Sequence, residues 1–181
     1  MRVLTRRFGI LKVPEELVWR WPVPLPGFPR SREFVLIDDE KARPFLWLQS
    51  LNEPEVAFVI VDAGLVAPGY DPCLPEGEIT CLQLSPGARP ILYAIVTVPE
   101  DPRQSWVNLR APLALNAYAR LGRQVVLSDE AYSFRHPLWE AVDRLSESSR
   151  QGRYESQGGR LLCWSLPASS TRASLSAIRS A

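Results

Sequence analysis

Proline occurs 17 times in this chain of 181 residues, and its spacing excludes most helical architectures. Inside a helix each proline removes one backbone hydrogen bond, and its ring clashes with the preceding turn. Between the prolines and glycines lie short apolar segments, the pattern of strands punctuated by turns. Val3 to Thr5 and Ile10 to Val13 flank Phe8-Gly9 and read as a hairpin. Glu33 to Ile37 is a strand running into the acidic turn Asp38-Asp39-Glu40. Phe45 to Ser50 is another, and Val56 to Asp62 follows the turn at Asn52-Glu53-Pro54. Val56 to Asp62 and Ile91 to Val98 are almost continuously apolar and β-branched, as expected of strands buried on both faces. Prolines at Pro54, Pro90 and Pro99 bound them, which suits strand ends.

Farther on, Leu113 to Asn116 and Gln124 to Leu127 read as a hairpin whose turn contains Leu121-Gly122. One helix is expected: Pro137 suits a first helical position, and Leu138, Val142 and Leu145 then share one face. The fold class is all-β, a compact antiparallel β-barrel or sandwich over residues 1–145 with one short C-terminal helix. From Ser146 to Ala181, ten of 36 residues are serine and only two are acidic, so 146–181 is expected to be a mostly disordered tail. Truncation after Arg150 is then expected to leave stability and binding unchanged. The one apolar island in that stretch, Leu161 to Leu166, is either an unstructured segment or a docking peptide able to add a strand to a sheet edge.

The residues offer little for catalysis. His136 is the sole histidine, no Gly-x-Ser-x-Gly elbow is present, and the adjacent carboxylates lie at turns where solvated acids are the rule. The close glycine pair Gly158-Gly159 has no Lys-Ser/Thr after it, so no phosphate loop is indicated. Cys73, Cys81 and Cys163 lack zinc spacing; a Cys73–Cys81 disulfide is conceivable, but free thiols are expected in a chain without an export signal. No cofactor or metal is indicated. No apolar run approaches the ~20 residues that cross a bilayer, so the expected location is cytoplasmic, with no membrane partner. The formal charge is +1, which argues against general nucleic-acid binding. The residual case for it rests on nineteen arginines against two lysines. Arg110, Arg120, Arg123 and Arg135 could converge beside Trp106 and Tyr118 as a stacking surface for RNA or a single strand.

Several stretches, in order and at their spacing, resemble the FliW family of flagellar assembly factors. They are Leu25-Pro-Gly-Phe-Pro29, Arg43-Pro-Phe-Leu-Trp-Leu-Gln-Ser50 and Pro54-Glu-Val-Ala-Phe-Val-Ile-Val-Asp62. Then come Val96-Thr-Val-Pro-Glu-Asp101, Val107-Asn-Leu-Arg-Ala-Pro-Leu113 with Asn116, and Gln124-Val-Val-Leu127 with Tyr132 and Arg135-His-Pro-Leu138. The resemblance covers about residues 1 to 140. Pro24 departs from the family pattern, as does the broken stretch Pro75 to Gly87. It implies a non-enzymatic β-barrel that acts by binding: it holds newly made flagellin, and it captures the translational repressor CsrA when flagellin is exported. It also implies a monomer when free and no direct contact with nucleic acid. The acidic turn Asp38-Asp39-Glu40 would complement an arginine-rich partner.

Within the matching stretches, Phe28, Phe45, Trp47 and Phe58 are expected in the core. The candidate partner-binding residues are Gln49, Asn108, Asn116, Gln124, Tyr132 and Arg135. The amides among them have two readings: they order loops that meet a partner, or they satisfy backbone groups at strand ends.

Overall fold

Side chains alternate across a strand, so an apolar run that is half-buried on one face and fully buried on the other must sit between two layers. That is how this chain is built. The computed structural model describes residues 1–139 and the backbone of Ala173–Ser174. The strands are β1 (Arg2–Thr5), β2 (Gly9–Lys12), β3 (Val18–Arg20), β4 (Glu33–Asp38), β5 (Leu46–Ser50) and β6 (Ala57–Asp62). They continue with β7 (Ile91–Thr97), β8 (Trp106–Val107), β9 (Leu113–Asn116), β10 (Leu121–Gln124), β11 (His136–Pro137) and β12 (Ala173–Ser174). Two helices of four residues each, α1 (Ala63–Val66) and α2 (Glu76–Ile79), lie between β6 and β7.

Seven strands close on themselves in the order β7-β6-β5-β4-β3-β10-β9, with β9 returning to pair with β7. Closure gives every strand of the ring a paired neighbour on both sides. The expected all-β barrel is therefore present, with one difference in pairing. The β3–β10 contact, Leu121 opposite Arg20, is parallel, whereas every other neighbour in the ring is antiparallel.

The barrel interior holds Trp19, Trp21, Phe34, Leu36, Leu46, Leu48, Ile60, Tyr93, Leu113 and Leu115. Trp21 packs on Phe34 with ring centroids 4.7 Å apart, and Phe28 meets Phe58 edge-on at 5.0 Å. The outer faces of the same strands are also covered. Val35 and Ile37 lie under the β1–β2 hairpin with Val3, Phe8, Leu11 and Val13. Trp47 packs there too, with Phe8 at 5.8 Å and the Arg7 guanidinium 3.7 Å above its ring. Val61, Ala94 and Val96 lie under Ala63, Val66 and Leu138, with Phe45 alongside. Leu82, from the segment that follows α2, covers Ala114. The four expected core aromatics are thus all packed, but Phe45 and Trp47 lie outside the barrel wall.

Two local expectations are corrected. The β9 hairpin partner is Leu121–Gln124 and not Gln124 to Leu127, so Gly122 is a strand residue paired with Leu115. The turn is 117–120, and its left-handed position is Arg120, with φ of +54°. Gly122 is there for space: a Cβ on it would fall 2.5 Å from the Trp21 ring. Pro137 is not a first helical residue. It pairs with Trp106 in the β11–β8 ladder. Val142 and Leu145, which were to complete that helix, lie outside the described residues.

The Leu25-Pro-Gly-Phe turn forms with Gly27 at φ of +84° and the Phe28 N–H donating to the Leu25 carbonyl at 2.9 Å. This is the type II geometry that Pro-Gly favours. The stretch from Pro75 is α2 followed by a 3-10 turn at Thr80–Leu82, ended by Gln83 in the left-handed region. Of the segment 146–181, the structure describes only β12, which pairs in parallel with Ile37 and Asp38 of β4. The apolar island Leu161 to Leu166 lies outside the described residues.

Candidate partner-binding surface

Buried amides must find partners, and those partners show what each candidate residue does. Gln49 on β5 is fully buried. Its Nε2 donates to the carbonyls of Ser50 at 2.9 Å and Val56 at 3.0 Å, while its Oε1 is buried without a hydrogen-bond partner. It braces the turn between β5 and β6. Asn116 ends β9, where its Nδ2 donates to the Leu82 and Gln83 carbonyls at 2.8 and 3.1 Å and its Oδ1 accepts the Tyr118 N–H at 3.0 Å. Asn108 and Gln124 converge on one residue. The Asn108 Oδ1 accepts the Ala111 N–H at 2.8 Å, and the Gln124 Nε2 donates to the Ala111 carbonyl at 3.0 Å.

Those two amides fix the loop between β8 and β9. The Ser133 carbonyl accepts the N–H groups of Leu109 and Arg110 at 3.0 and 3.2 Å, which ties a second loop to the first. Tyr132 is half-buried beneath, its ring 4.8 Å from that of Tyr70. The Tyr70 hydroxyl donates to the Leu109 carbonyl. Burial, with Tyr132 next to it, raises the Tyr70 phenol well above its usual range, so it remains a neutral donor. On this framework sit two cation–π pairs: Arg135 over Trp106 at 5.1 Å and Arg110 over Phe134 at 5.1 Å. Arg135 and Phe134 are exposed. Rigidly held arginine and aromatic side chains are the residue types that dominate binding interfaces.

Four of the six candidates, Asn108, Gln124, Tyr132 and Arg135, therefore gather around this pair of loops. Gln49 and Asn116 support other turns. Phe134 was not singled out from sequence; an exposed aromatic beside Arg135 was the available signal. Three of the four arginines considered for RNA are engaged within the chain. Arg110 pairs with Glu130 at 3.3 Å, Arg123 with Glu78, and Arg120 lies over Trp19.

A shallow cleft of about 450 Å³ opens at the barrel end where β4, β5, β6 and β7 meet, lined by Asp38, Arg43, Pro44, Asp62, Leu65 and Tyr93. The acidic turn beside it is engaged internally. Asp38 is paired twice with Arg43 at 3.0 and 3.1 Å, and the Asp39 carboxylate accepts the Lys41 N–H. Cys73 and Cys81 are free thiols, and Cys163 lies outside the described residues. Among the described residues no cluster of three His, Cys, Asp or Glu is placed to hold a metal ion, and no helix is long and apolar enough to cross a membrane.

Near Gln49 a second polar network locks the β5–β6 turn to the chain entering β4. Glu53 accepts from the Ser31 hydroxyl at 2.5 Å and from Arg30 at 2.7 Å, and Ser50 donates to Ser31 at 3.0 Å. The Ser31 hydroxyl, with Arg30 behind it, holds the Glu53 carboxyl below its ordinary value. A lowered value stabilises the fold above the carboxylate range, and that contribution is lost as pH falls through it. Glu53→Gln should therefore melt below the parent near pH ~6, with the gap narrowing toward pH ~3. Thermal denaturation of both chains across that interval checks this.

The comparisons with known proteins agree with this architecture. The family model described as FliW protein matches residues 2–138. This chain belongs to the FliW family. A flagellar assembly factor FliW of Geotalea uraniireducens is 39% identical over 144 residues, covering 80% of this chain and 88% of the relative. Its counterpart in Alkaliphilus metalliredigens is 32% identical over 161 residues, covering 88% and 99%. A crystal structure of the flagellar assembly factor FliW superposes with a TM-score of 0.70 at 31% identity, covering 76% of this chain and 96% of that one. The FliW match ends at Leu138, the last buried residue of the outer cluster under β11.

Proposed function

We propose that this chain is a flagellar assembly factor that works by binding and not by catalysis. In the cytoplasm it holds newly made flagellin; when flagellin is exported, the freed protein captures CsrA and relieves repression of flagellin synthesis. It needs no cofactor, is monomeric when free, and touches neither membrane nor nucleic acid directly. The observation that carries this reading is the FliW match over residues 2–138 on a closed barrel of the same fold. The paired loops around Ala111 support it: a rigid scaffold presents Arg135, Trp106, Arg110 and Phe134 at the surface. Partner exchange on such a surface needs coupling or competition of about 1–3 kcal/mol.

The test is co-elution of the purified full chain with flagellin or with CsrA, alongside a mobility shift with RNA alone. Retention of either protein without an RNA shift is expected. Salt-sensitive RNA binding with no protein retained would support the nucleic-acid reading instead. Arg135→Ala is expected to weaken capture of one of the two partners about tenfold, in the range of interface hot spots, with an unchanged melting temperature. Titration calorimetry with both partners measures it. Unchanged affinity for both would remove this face from the interface.

A further inference from the structure

The β1–β2 hairpin stands outside the ring as a two-stranded sheet, and it buries only one of its faces. Val3, Phe8, Leu11 and Val13 pack inward against Val35 and Ile37 of β4. Alternation turns Arg2 and Leu4 of β1, and Ile10 and Lys12 of β2, to the opposite face. The register sets Leu4 directly opposite Ile10 and Arg2 directly opposite Lys12. Leu4 is 66% exposed and Ile10 56%, so this apolar pair is open to solvent. Beside it stands a pair of like charges, an arrangement that costs stability in a sheet. Residues 1–14 hold four cationic side chains and no acidic one. Arg7 is held over Trp47, but Arg2, Arg6 and Lys12 have no ion-pair partner among the described residues.

The hairpin also keeps a free strand edge. Met1 and Val13 exchange hydrogen bonds at 2.7 and 2.8 Å, which makes Val3–Leu11 the next hydrogen-bonded pair of the ladder. The N–H and C=O groups of Ile10 and Lys12 therefore point away from β1, and they have no backbone partner among the described residues. The edge of β1 is partly occupied, since the Arg6 N–H donates to the Pro54 carbonyl at 3.0 Å. We propose that the β2 edge, with the Leu4–Ile10 and Arg2–Lys12 pairs, docks an extended acidic segment of another protein, one that alternates carboxylate and apolar side chains. The alternation follows from the pleat: with an apolar side chain beside Ile10, the side chain two positions along lies beside Lys12. A carboxylate there offsets the repulsion between Arg2 and Lys12, while the segment's backbone pairs with the edge. Charge decides the occupant. A second copy brings the same cationic edge, and lysine on an edge strand opposes pairing with itself. The chain's own apolar island is no better matched, because residues 156–181 hold three arginines and no acidic side chain.

The hairpin covers β4, whereas Arg135 stands over Trp106 of β8, so this site is separate from the paired loops and does not rest on the flagellar role. The probe is an octapeptide of alternating glutamate and valine, titrated into the full chain at low salt while backbone amide exchange is followed. In the free chain the Ile10 and Lys12 amides should exchange fast at every protein concentration. The peptide should slow both about tenfold when present at about ten times its dissociation constant. An octapeptide of alternating lysine and valine should slow neither. Lys12→Glu, on the exposed face, should keep the melting temperature and reverse the preference between the two peptides. Ile10→Thr, which retains a β-branched side chain, should weaken the glutamate peptide at an unchanged melting temperature. Protection of the two amides without peptide would overturn the proposal: independent of concentration, it would make the chain's own C-terminal segment the occupant; rising with concentration, a second copy. Equal affinity for the two peptides, or no slowing at millimolar peptide, would also overturn it. So would a glutamate peptide that binds Lys12→Glu as tightly as the parent.

Discussion

Gly122→Ala is expected to lower the melting temperature by several degrees, a large effect for one added methyl group. Gly122 pairs with Leu115 on the inner face of the barrel, and a Cβ there would stand 2.5 Å from two atoms of the Trp21 ring and 2.7 Å from a third. Trp21 cannot swing away freely, being 1% exposed and packed against Phe34 with ring centroids 4.7 Å apart and planes tilted by 58°. Overpacking of this kind typically costs about 1–3 kcal/mol. For a chain of this size that corresponds to a fall of roughly 2–12 °C. Trp21→Phe alone leaves a cavity and also destabilises. Together the two changes are expected to cost less than their sum, since the smaller ring makes the room that the methyl needs. Thermal denaturation of the four chains measures the coupling. Strict additivity would show that the alanine is accommodated without touching Trp21.

The same glycine shows where sequence stops being legible. Glycine between two apolar segments reads as a turn because it enters the left-handed region without strain. Here Arg120 takes that conformation, and Gly122 is needed two residues later because a tryptophan from a distant strand fills the space above it. No local pattern encodes Trp21. The parallel contact of Leu121 with Arg20 is hidden for the same reason: it joins segments about a hundred residues apart. By contrast, β6 and β7 were legible as doubly buried strands. Ile60 and Tyr93 fill the barrel, while Val61, Ala94 and Val96 carry an outer layer, and both demands are written into the same short apolar runs.

The candidate surface was half legible. The types Asn108, Gln124 and Arg135 were visible within motifs shared with the family, but their joint target was not. Two amides sixteen residues apart hold the N–H and the carbonyl of Ala111, a residue with no side-chain chemistry to draw attention. Phe134 was passed over because an aromatic in a polar loop carries no periodicity. Its meaning appears only when Arg110 arrives from the neighbouring loop. Pro137 misled for a simpler reason. A proline that begins a helix and one that sits in a short edge strand look identical until the partner strand is known.

Asn116→Ala separates a structural role from a contact role, and a large loss of stability is expected. The side chain is 6% exposed and joins three pieces of the fold: the carbonyls of Leu82 and Gln83, the end of β9, and the N–H of Tyr118 in the turn to β10. Removing it strands the buried Leu82 carbonyl, and an unsatisfied buried group costs about 1–3 kcal/mol. With the turn contact also lost, a fall in melting temperature of roughly 4–12 °C is expected. Asn116→Asp retains the acceptor for Tyr118 but replaces the donor with a carboxylate facing two carbonyl oxygens. Burying that charge unpaired is costlier than the alanine, so the aspartate variant should be the less stable at neutral pH. Part of its loss should return on mild acidification, as the carboxyl protonates and can donate again. Partner capture measured well below both melting temperatures should then be unchanged in Asn116→Ala, because the side chain points into the fold. Lost capture at an unchanged melting temperature would instead place Asn116 in the interface.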